Sequence, residues 1–347
     1  MSKDGNHDLD PIDPRTAQEL YLDHKETQSM EWTVRGHRYR TNHFVRWCDE
    51  TDIDNMNDLA GRDIHEYRLW RKEDGDLNTV SLQTQMCTIR VFLRWCGSIE
   101  AVDPDLHTKV MVPQVPPEEQ QRDELLEADR AEEILAYLSE FHYASIKHVL
   151  LALLWETGMR IGAARSIDLK DIDLEDQFLT LKHRPETGTP LKNGAGGERL
   201  VAISSDLAYL LEDYMENTRP EQTDDFGREP LLTSRQGRLS QSSVRRYVYD
   251  VTAPCFRDLE CPDCQRGTQA KCSESVTPHA VRRGSITHFL TEDVPTEVVG
   301  DRMDVSRKIL DKHYDRRSEE VKLEQRRSYL ESAELGSIKS DYGSKHE

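Results

Sequence analysis

Lysine is scarce in this chain of 347 residues, and long apolar runs are missing. The 46 basic residues comprise 14 lysines and 32 arginines. The longest apolar run extends over seven residues, from Val149 to Trp155, whereas a membrane-spanning helix needs about 20. The acidic first ten residues contain no apolar segment of the kind found in secretory signals. These absences predict a cytoplasmic protein with no membrane partner.

Cysteine is also rare, with seven residues in the chain. An odd number cannot be fully paired in disulfides, which argues for a reducing compartment and against a disulfide framework. Four of them form the pattern C-x5-C-x2-C-x7-C. A two-residue spacer lets two thiolates reach one tetrahedral metal ion. The pattern predicts a structural zinc site, although a partly buried set of reduced thiols and a redox pair stay open as alternatives. The four ligands would be Cys255, Cys261, Cys264 and Cys272.

Acidic residues outnumber basic ones by 65 to 46, which gives a formal net charge of −19. Nucleic-acid-binding domains are usually basic, so the sum alone argues against such a partner. However, a carboxylate-rich and lysine-poor composition is also typical of proteins from a very salty cytoplasm. At an ionic strength of 1 M the Debye length is only about 3 Å. The local placement of arginines therefore matters more than the net charge.

Composition and periodicity divide the chain into two domains. Residues 15–110 carry aromatic and apolar residues, Trp32 among them, at spacings that suit about four packed helices. Residues 111–124 contain three prolines and no periodic face, which predicts an extended linker. The second domain covers 125–332. The polar ends are predicted to be flexible, and they comprise 1–14 and 333–347.

The second domain is predicted to be mainly α with a small antiparallel β-sheet. An apolar helix is expected from Ala144 to Glu156. Two short apolar segments, Phe178–Leu181 and Leu200–Ile203, flank a glycine-rich loop and predict a β-hairpin. Helices are expected again on both sides of the cysteine-rich segment at 255–272, which is predicted to be an extra element of this domain.

Three separate pieces of this domain carry residues suited to phosphate chemistry. Arg160 follows Thr157 and Gly158 at a turn between helices. His279 and Arg282 are three residues apart, which places them on one helix face, and Tyr314 follows 32 residues later. Taken singly, each piece has an ordinary explanation: a surface arginine beside a helix-capping glycine, a capping histidine, and a packing tyrosine.

The order and spacing of these pieces resemble the tyrosine recombinase, or phage integrase, family. The resemblance covers about residues 15–330 and is of the Xer-like type. The acidic composition and the phrase from Asp301 to Ser306 look like versions from salt-loving archaea. The resemblance implies an N-terminal helical core-binding (SAM-like) domain and a C-terminal α+β catalytic domain of the tyrosine recombinase type.

The resemblance also implies DNA strand exchange through a 3′-phosphotyrosyl intermediate. Tyr314 would be the nucleophile, Arg160 and Arg282 would bind the phosphate oxygens, and His279 would move a proton or bind an oxygen. A lysine in the hairpin loop would protonate the 5′-oxygen; Lys192 fits this role and Lys182 is the second choice. Neither ATP, another nucleotide cofactor nor a catalytic metal is implied. Tyrosines further along offer weaker alternatives, namely Tyr329 and Tyr342.

Two positions depart from the family pattern. Ala163 stands where a carboxylate is usual. Aligned with the family's apolar-Gly-His-Ser phrase, the residues Met303–Ser306 place Asp304 at the glycine and Val305 where a histidine or tryptophan is usual. Val305 has no hydrogen-bond donor in its side chain, and Arg302 or His313 could replace it only if the loop shifts. These departures keep two alternatives open: a DNA-binding protein of the same fold that no longer cuts, and a topoisomerase-like enzyme that relaxes strands without exchanging them.

Acid-free arginine clusters predict contacts to double-stranded DNA beyond the reacting phosphate. One cluster lies in the second domain, at Arg235, Arg238, Arg245 and Arg246, and one lies in the first domain, at Arg35, Arg38 and Arg40. The alternative for both clusters is that the arginines lie on a solvent-exposed helix face and bind nothing. The resemblance further implies a homo-oligomer, a tetramer, on DNA.

Overall fold

The computed structural model of the chain describes residues 9–29, 31–116, 124–261, 272–292 and 294–313, together with 320, 323–324 and 327. The chain divides into two compact units, Met1–Arg122 and Asp123–Glu347. This division falls within the predicted linker 111–124. Among the described helices, none combines the length and the apolar character needed to cross a bilayer.

Four helices build the first unit: α1 (Pro14–Glu26), α2 (Glu31–Glu50), α3 (Gly61–Asp74) and α4 (Thr79–Ser98). They enclose a core rich in aromatic rings. The ring of Phe44 meets that of Tyr67 edge-on with centroids 5.1 Å apart, and Tyr21 lies 5.1 Å from Phe92. Trp32 does not join this core, because two thirds of its surface is exposed on α2.

The first unit is larger than the sequence predicted at both ends. The Asp13 side chain caps α1 by accepting hydrogen bonds from the backbone N–H groups of Arg15 and Thr16, and Ile12 packs against the core. The last residues of the predicted flexible end 1–14 are therefore part of the fold. At the other end Val112 packs on the same core, so the linker begins later than expected. Residues 1–8 and 333–347 lie outside the described residues.

The second unit is built around an apolar central helix. It begins with α5 (Ala128–Phe141), α6 (Ile146–Thr157) and α7 (Ile161–Ser166), and continues after the sheet with α8 (Ser205–Asp213), α9 (Gln241–Thr252), α10 (Pro278–Thr291), α11 (Thr296–Met303) and α12 (Arg307–His313). Helix α6 is apolar nearly all round, and such a helix is stable only when neighbours cover it. Most of its residues are buried.

A three-stranded antiparallel sheet lies between α7 and α8, with the order β1 (Ile172–Asp173), β2 (Phe178–Leu181) and β3 (Arg199–Ala202). Phe178 pairs with Ala202 and Leu181 pairs with Arg199. The predicted hairpin is therefore present with its second strand one residue earlier. Strand β1 was not predicted, because two residues carry no detectable alternation.

A second, two-residue hairpin pairs β4 (Thr233–Ser234) with β5 (Gly237–Arg238) and corrects one prediction. The Arg238 guanidinium is 96% buried, contacting the carboxylates of Asp168 and Asp224 and the carbonyl oxygen of Arg165. Arg238 therefore stabilises the second unit and is not available as a surface contact for DNA. Its carboxylate partners lie 70 and 14 residues away in the sequence, so the acid-free run around it did not reveal them.

Arg184 belongs to the same buried ion network, and its partner Asp171 makes the stability of the fold depend on pH. Arg184 binds Asp171 through both terminal nitrogens. Burial raises the pKa of Asp171, but hydrogen bonds from Arg184 and from the Asp168 backbone outweigh it, so the pKa lies below its ordinary value. A lowered folded-state pKa stabilises the fold above the unfolded-state value of about 3.9, and this stabilisation is lost as the pH falls below it.

We expect Arg238→Met to lower the free energy of unfolding by about 1–3 kcal/mol, because two buried carboxylates each lose one hydrogen-bonding partner. Arg228 still contacts both of them in this variant. The matched control is Arg235→Met, an exposed arginine on the same turn, which should change stability by no more than about 0.5 kcal/mol. Urea unfolding at one fixed salt concentration measures both. Equal stability of the two variants would contradict the assigned role of Arg238.

Candidate active site

The turn between α6 and α7 positions Arg160. Gly158 ends α6 in the left-handed conformation, with φ +55°, and its N–H donates to the Leu154 carbonyl. A Cβ atom at this position would lie 2.5 Å from the Met303 sulfur, which would have to move. The left-handed conformation itself favours glycine. Arg160 follows as the N-terminal cap residue of α7, and its side chain is one third exposed.

Helix α10 carries the other two residues of the predicted set. Thr277 caps it by accepting from the Ala280 N–H, and Pro278 occupies the first helical position. His279 is exposed near this end, whereas Arg282, one turn later, is 98% buried. One guanidinium nitrogen of Arg282 donates to the Gly158 carbonyl at 2.5 Å. The turn that positions Arg160 therefore also holds Arg282.

Asp304 joins the two arginines, and the sequence interpretation gave it no role. Its carboxylate accepts a hydrogen bond from Arg160 at 2.5 Å, and its backbone carbonyl accepts from Arg282 at 3.4 Å. Asp304 ends α11 with φ +55°. That left-handed conformation is one that glycine adopts easily, which agrees with the alignment of Asp304 to the glycine of the family phrase. An acidic residue at a glycine position was the available signal.

The loop between β2 and β3 reaches the same carboxylate. The Asn193 side-chain amide donates to Asp304 at 2.7 Å, and Lys192, its neighbour in the chain, is exposed. The charge of Lys182 contributes to the lowered pKa of Asp171, a member of the buried ion network. Of the two lysines weighed from the sequence, Lys192 is the one whose neighbour in the chain contacts Asp304, the residue that both arginines also contact. Asn193 itself was missed.

The positive charge at this corner extends to β3. Arg199 donates to the Arg302 backbone carbonyl and to that of Gly197. Burial lowers the pKa of the Arg199 guanidinium, the charge of Asp304 opposes this effect, and Arg160 adds to it. The Asp304 carboxylate is therefore bonded to Arg160 and also feels the charge of Arg199. This local excess of positive charge contrasts with the strongly acidic chain as a whole.

Both departures from the family pattern lie in packed positions. Val305 is 92% buried with apolar residues of α10–α12, and its N–H donates to the Gly300 carbonyl. Ala163 is buried in α7, where its N–H donates to the Arg160 carbonyl. Arg302 does not substitute for a donor at Val305, because its guanidinium binds the carbonyl oxygens of Ala202 and Glu156.

Several predicted residues fall outside the described part of the chain. Tyr314, the predicted nucleophile, directly follows the last residue of α12 and lies outside the described residues. The same holds for Cys264 and for the alternative tyrosines Tyr329 and Tyr342. The side chain of His313 is likewise not among the described parts of the chain.

The predicted outer DNA contacts differ in their exposure. In the first unit Arg35 and Arg38 are exposed on α2, together with Trp32 and Tyr39. Arg40 is half-buried and lies 3.5 Å from the Thr88 hydroxyl.

In the second unit Arg235, Arg245 and Arg246 are exposed, whereas Arg238 is not. Arg165 of α7 donates to the Leu239 carbonyl at 2.7 Å. This bond ties the helix that begins after Arg160 to the chain that leads into α9, where Arg245 and Arg246 lie.

Three of the four cysteines in the predicted zinc pattern come together in the second unit. The sulfur atoms of Cys255, Cys261 and Cys272 all lie within 4.8 Å of one another. This cluster lies on the connection between α9 and α10.

Comparison with known proteins identifies the class. The model of the phage integrase family matches residues 124–320, which is more than half of the chain. A tyrosine recombinase XerD from Mycobacterium tuberculosis is 24% identical over 302 residues, covering 80% of this chain and 86% of that protein. A probable site-specific recombinase in the afa region of Escherichia coli is 31% identical over 159 residues, covering 44% of this chain and 55% of that protein.

Solved structures agree on the fold. A lambda integrase dimer bound to a COC′ core site has a TM-score of 0.62 at 14% identity, with 88% of this chain and 78% of that chain covered. The Tn1549 transposon integrase in complex with a circular intermediate DNA has a TM-score of 0.64 at 13% identity, with 91% and 99% covered. This protein is a member of the phage integrase family, with the mainly helical fold and small antiparallel sheet of tyrosine recombinases. Its origin in a salt-loving organism stays a prediction.

We expect Gly158→Ala to lower the free energy of unfolding by about 1–3 kcal/mol, because it forces a Cβ atom into the left-handed region and against Met303. The matched control is Gly196→Ala, where an added Cβ meets nothing within 4 Å and stability should change by no more than about 0.5 kcal/mol. Thermal and urea unfolding compare the two. Equal effects would contradict the importance of this turn.

Proposed function

We propose that this chain is a site-specific DNA recombinase that cuts and rejoins strands through a 3′-phosphotyrosyl intermediate. The observation that carries the proposal is the meeting of Arg160 and Arg282, 122 residues apart in the sequence, at one residue, Asp304. The loop that carries Lys192 reaches the same residue through Asn193. Family membership is consistent with strand exchange, and the named roles rest on this geometry and on the family pattern.

The proposed reaction is an in-line transesterification. The phenol oxygen of Tyr314 attacks the scissile phosphorus, forms a P–O bond to tyrosine and breaks the bond to the 5′-oxygen. The tyrosine proton passes to His279 or to solvent, and Lys192 supplies a proton to the departing 5′-oxygen, which leaves as a 5′-hydroxyl. A 5′-hydroxyl of another strand then reverses these steps. The phosphotyrosyl bond conserves the energy of the phosphodiester, so no ATP is needed.

The two arginines are prepared for phosphate in different ways. Arg282 is buried, and its guanidinium donates to two backbone carbonyl oxygens. Because these bonds already fix its orientation, little reorganisation energy is needed when phosphate binds. Arg160 is partly exposed and held by a carboxylate, a group that phosphate can replace with similar hydrogen bonds. We infer that Asp304 holds Arg160 in place until a phosphate oxygen takes over that contact.

The proposed partner is double-stranded DNA. The lambda and Tn1549 integrases that share the fold are described in complex with DNA. Exposed Arg35 and Arg38 on the first unit, with Arg245 and Arg246 on the second, are the proposed contacts to phosphates away from the cut. Exchange between two duplexes requires several copies of the chain, and a tetramer on DNA is proposed.

Covalent trapping tests the reaction. The substrates are nicked duplexes that tile the DNA flanking the gene, incubated with the protein at molar KCl and then denatured. We expect wild type to give a denaturation-resistant protein–DNA adduct and Tyr314→Phe to give none, because phenylalanine has no nucleophilic oxygen. The matched control, Tyr329→Phe, should keep the adduct.

Two results would contradict the proposal. An adduct that persists in Tyr314→Phe would assign the nucleophile elsewhere. DNA binding without any adduct across the whole panel would instead favour the non-cutting binder, with the buried Val305 as the first residue to replace.

We expect Asp304→Asn to bind DNA more tightly, by up to about fivefold, because it removes a negative charge beside the phosphate while keeping the side-chain shape. Asp301→Asn is the control, since it makes the same change of net charge at an exposed position of α11. Affinities are compared at one ionic strength by fluorescence anisotropy. Equal or weaker binding by Asp304→Asn would show that Asp304 does not compete with phosphate.

A further inference from the structure

The connection between α9 and α10 brings three cysteine sulfurs together. Cys255 lies in the single helical turn Pro254–Arg257 just after α9, and Cys272 lies six residues before α10 begins. The sulfur atoms of Cys261 and Cys272 are 3.2 Å apart, and that of Cys255 is within 4.8 Å of both. Cys272 is buried, and the other two are half-buried.

We propose that Cys255, Cys261 and Cys272 bind one structural zinc ion as thiolates. Zinc–sulfur bonds of about 2.3 Å in a tetrahedron place sulfur atoms about 3.8 Å apart. The observed separations are 3.2 Å for Cys261 and Cys272 and no more than 4.8 Å for the other two pairs, so small side-chain adjustments bring all three sulfurs to one ion. A disulfide uses two sulfurs at about 2.05 Å and does not account for a third at the same point. Thiolates favour zinc over magnesium or calcium, which take oxygen ligands. Cys264 remains the sequence-predicted fourth ligand and lies outside the described residues.

The ion would fix the start of the helix that carries His279 and Arg282. Beyond Cys272 the chain turns, with the Ser275 N–H and hydroxyl both donating to the Cys272 carbonyl. The next N–H, that of Val276, donates to the Thr252 hydroxyl at the end of α9.

A third helix strengthens the same junction. The Arg130 guanidinium of α5 donates to the carbonyl oxygens of Thr252 and Glu274. The proposed zinc therefore closes the 18-residue segment 255–272 at the point where α5, α9 and the entry to α10 meet. Part of the free energy of metal binding would then stabilise this junction.

Metal content of the full-length protein tests the site. The protein is reduced, loaded with equimolar zinc chloride, passed through gel filtration and analysed by mass spectrometry for metals. We expect about one zinc per chain in wild type and in the control Cys87→Ser, an exposed cysteine of α4. Cys255→Ser and Cys272→Ser should each lose most of it. Wild type with less than about a tenth of an equivalent, or full retention by Cys255→Ser, would overturn the proposal.

Cobalt(II) binding to wild type keeps the proposal testable if the serine variants fail to fold. A tetrahedral thiolate site gives cobalt a sulfur-to-metal charge-transfer band and strong visible bands, and zinc removes both. We expect these bands from the intact protein. Their absence, or a Cys261–Cys272 disulfide in protein kept under reductant, would contradict a zinc site.

Amide hydrogen exchange tests the structural role without measuring cleavage. After chelation of zinc, exchange across residues 272–282 should become faster, whereas α8 (Ser205–Asp213) in the same unit should be unchanged. Unchanged exchange at the start of α10 would show that the ion does not hold this helix.

Discussion

Asp304 contacts three segments that lie far apart in the sequence. Its carboxylate accepts hydrogen bonds from Arg160 after α6 and from Asn193 in the hairpin loop, while its backbone carbonyl accepts from Arg282 of α10. These contacts depend on the left-handed conformation of Asp304 at the end of α11. A single residue thus keeps two guanidinium groups together in a chain whose net charge is −19.

Much of the fold could be predicted because its signals are local. The apolar run of α6 predicts a helix that is buried on all sides by its neighbours. Gly158 ends that helix in a left-handed conformation that glycine adopts easily. The hairpin followed from apolar residues on both sides of a glycine-rich loop. Arg160 and Arg282 both contact Asp304, and three of the four patterned cysteines lie together; their roles stay predictions. In each case the responsible residues are close in sequence or belong to a spaced motif.

The remaining features depend on contacts between distant residues. Arg238 stands in an acid-free run, and only the folded chain brings it to the carboxylate of Asp168, 70 residues away. Asp304 has an ordinary acidic side chain, and its place between the arginines follows from how α11 packs. The linker boundary was misplaced because the packing of Val112 on the first unit leaves no periodic trace. Tyr314 and Cys264 lie outside the described residues and stay predictions.

A structure of the Tyr314→Phe protein bound to its DNA site would show whether the two arginines bind the scissile phosphate. We expect non-bridging oxygens of that phosphate to lie within hydrogen-bond distance of both Arg160 and Arg282. The Asp304 carboxylate should then have released Arg160. A bound duplex whose phosphates all lie away from Arg282, with the Arg160–Asp304 pair intact, would contradict this expectation.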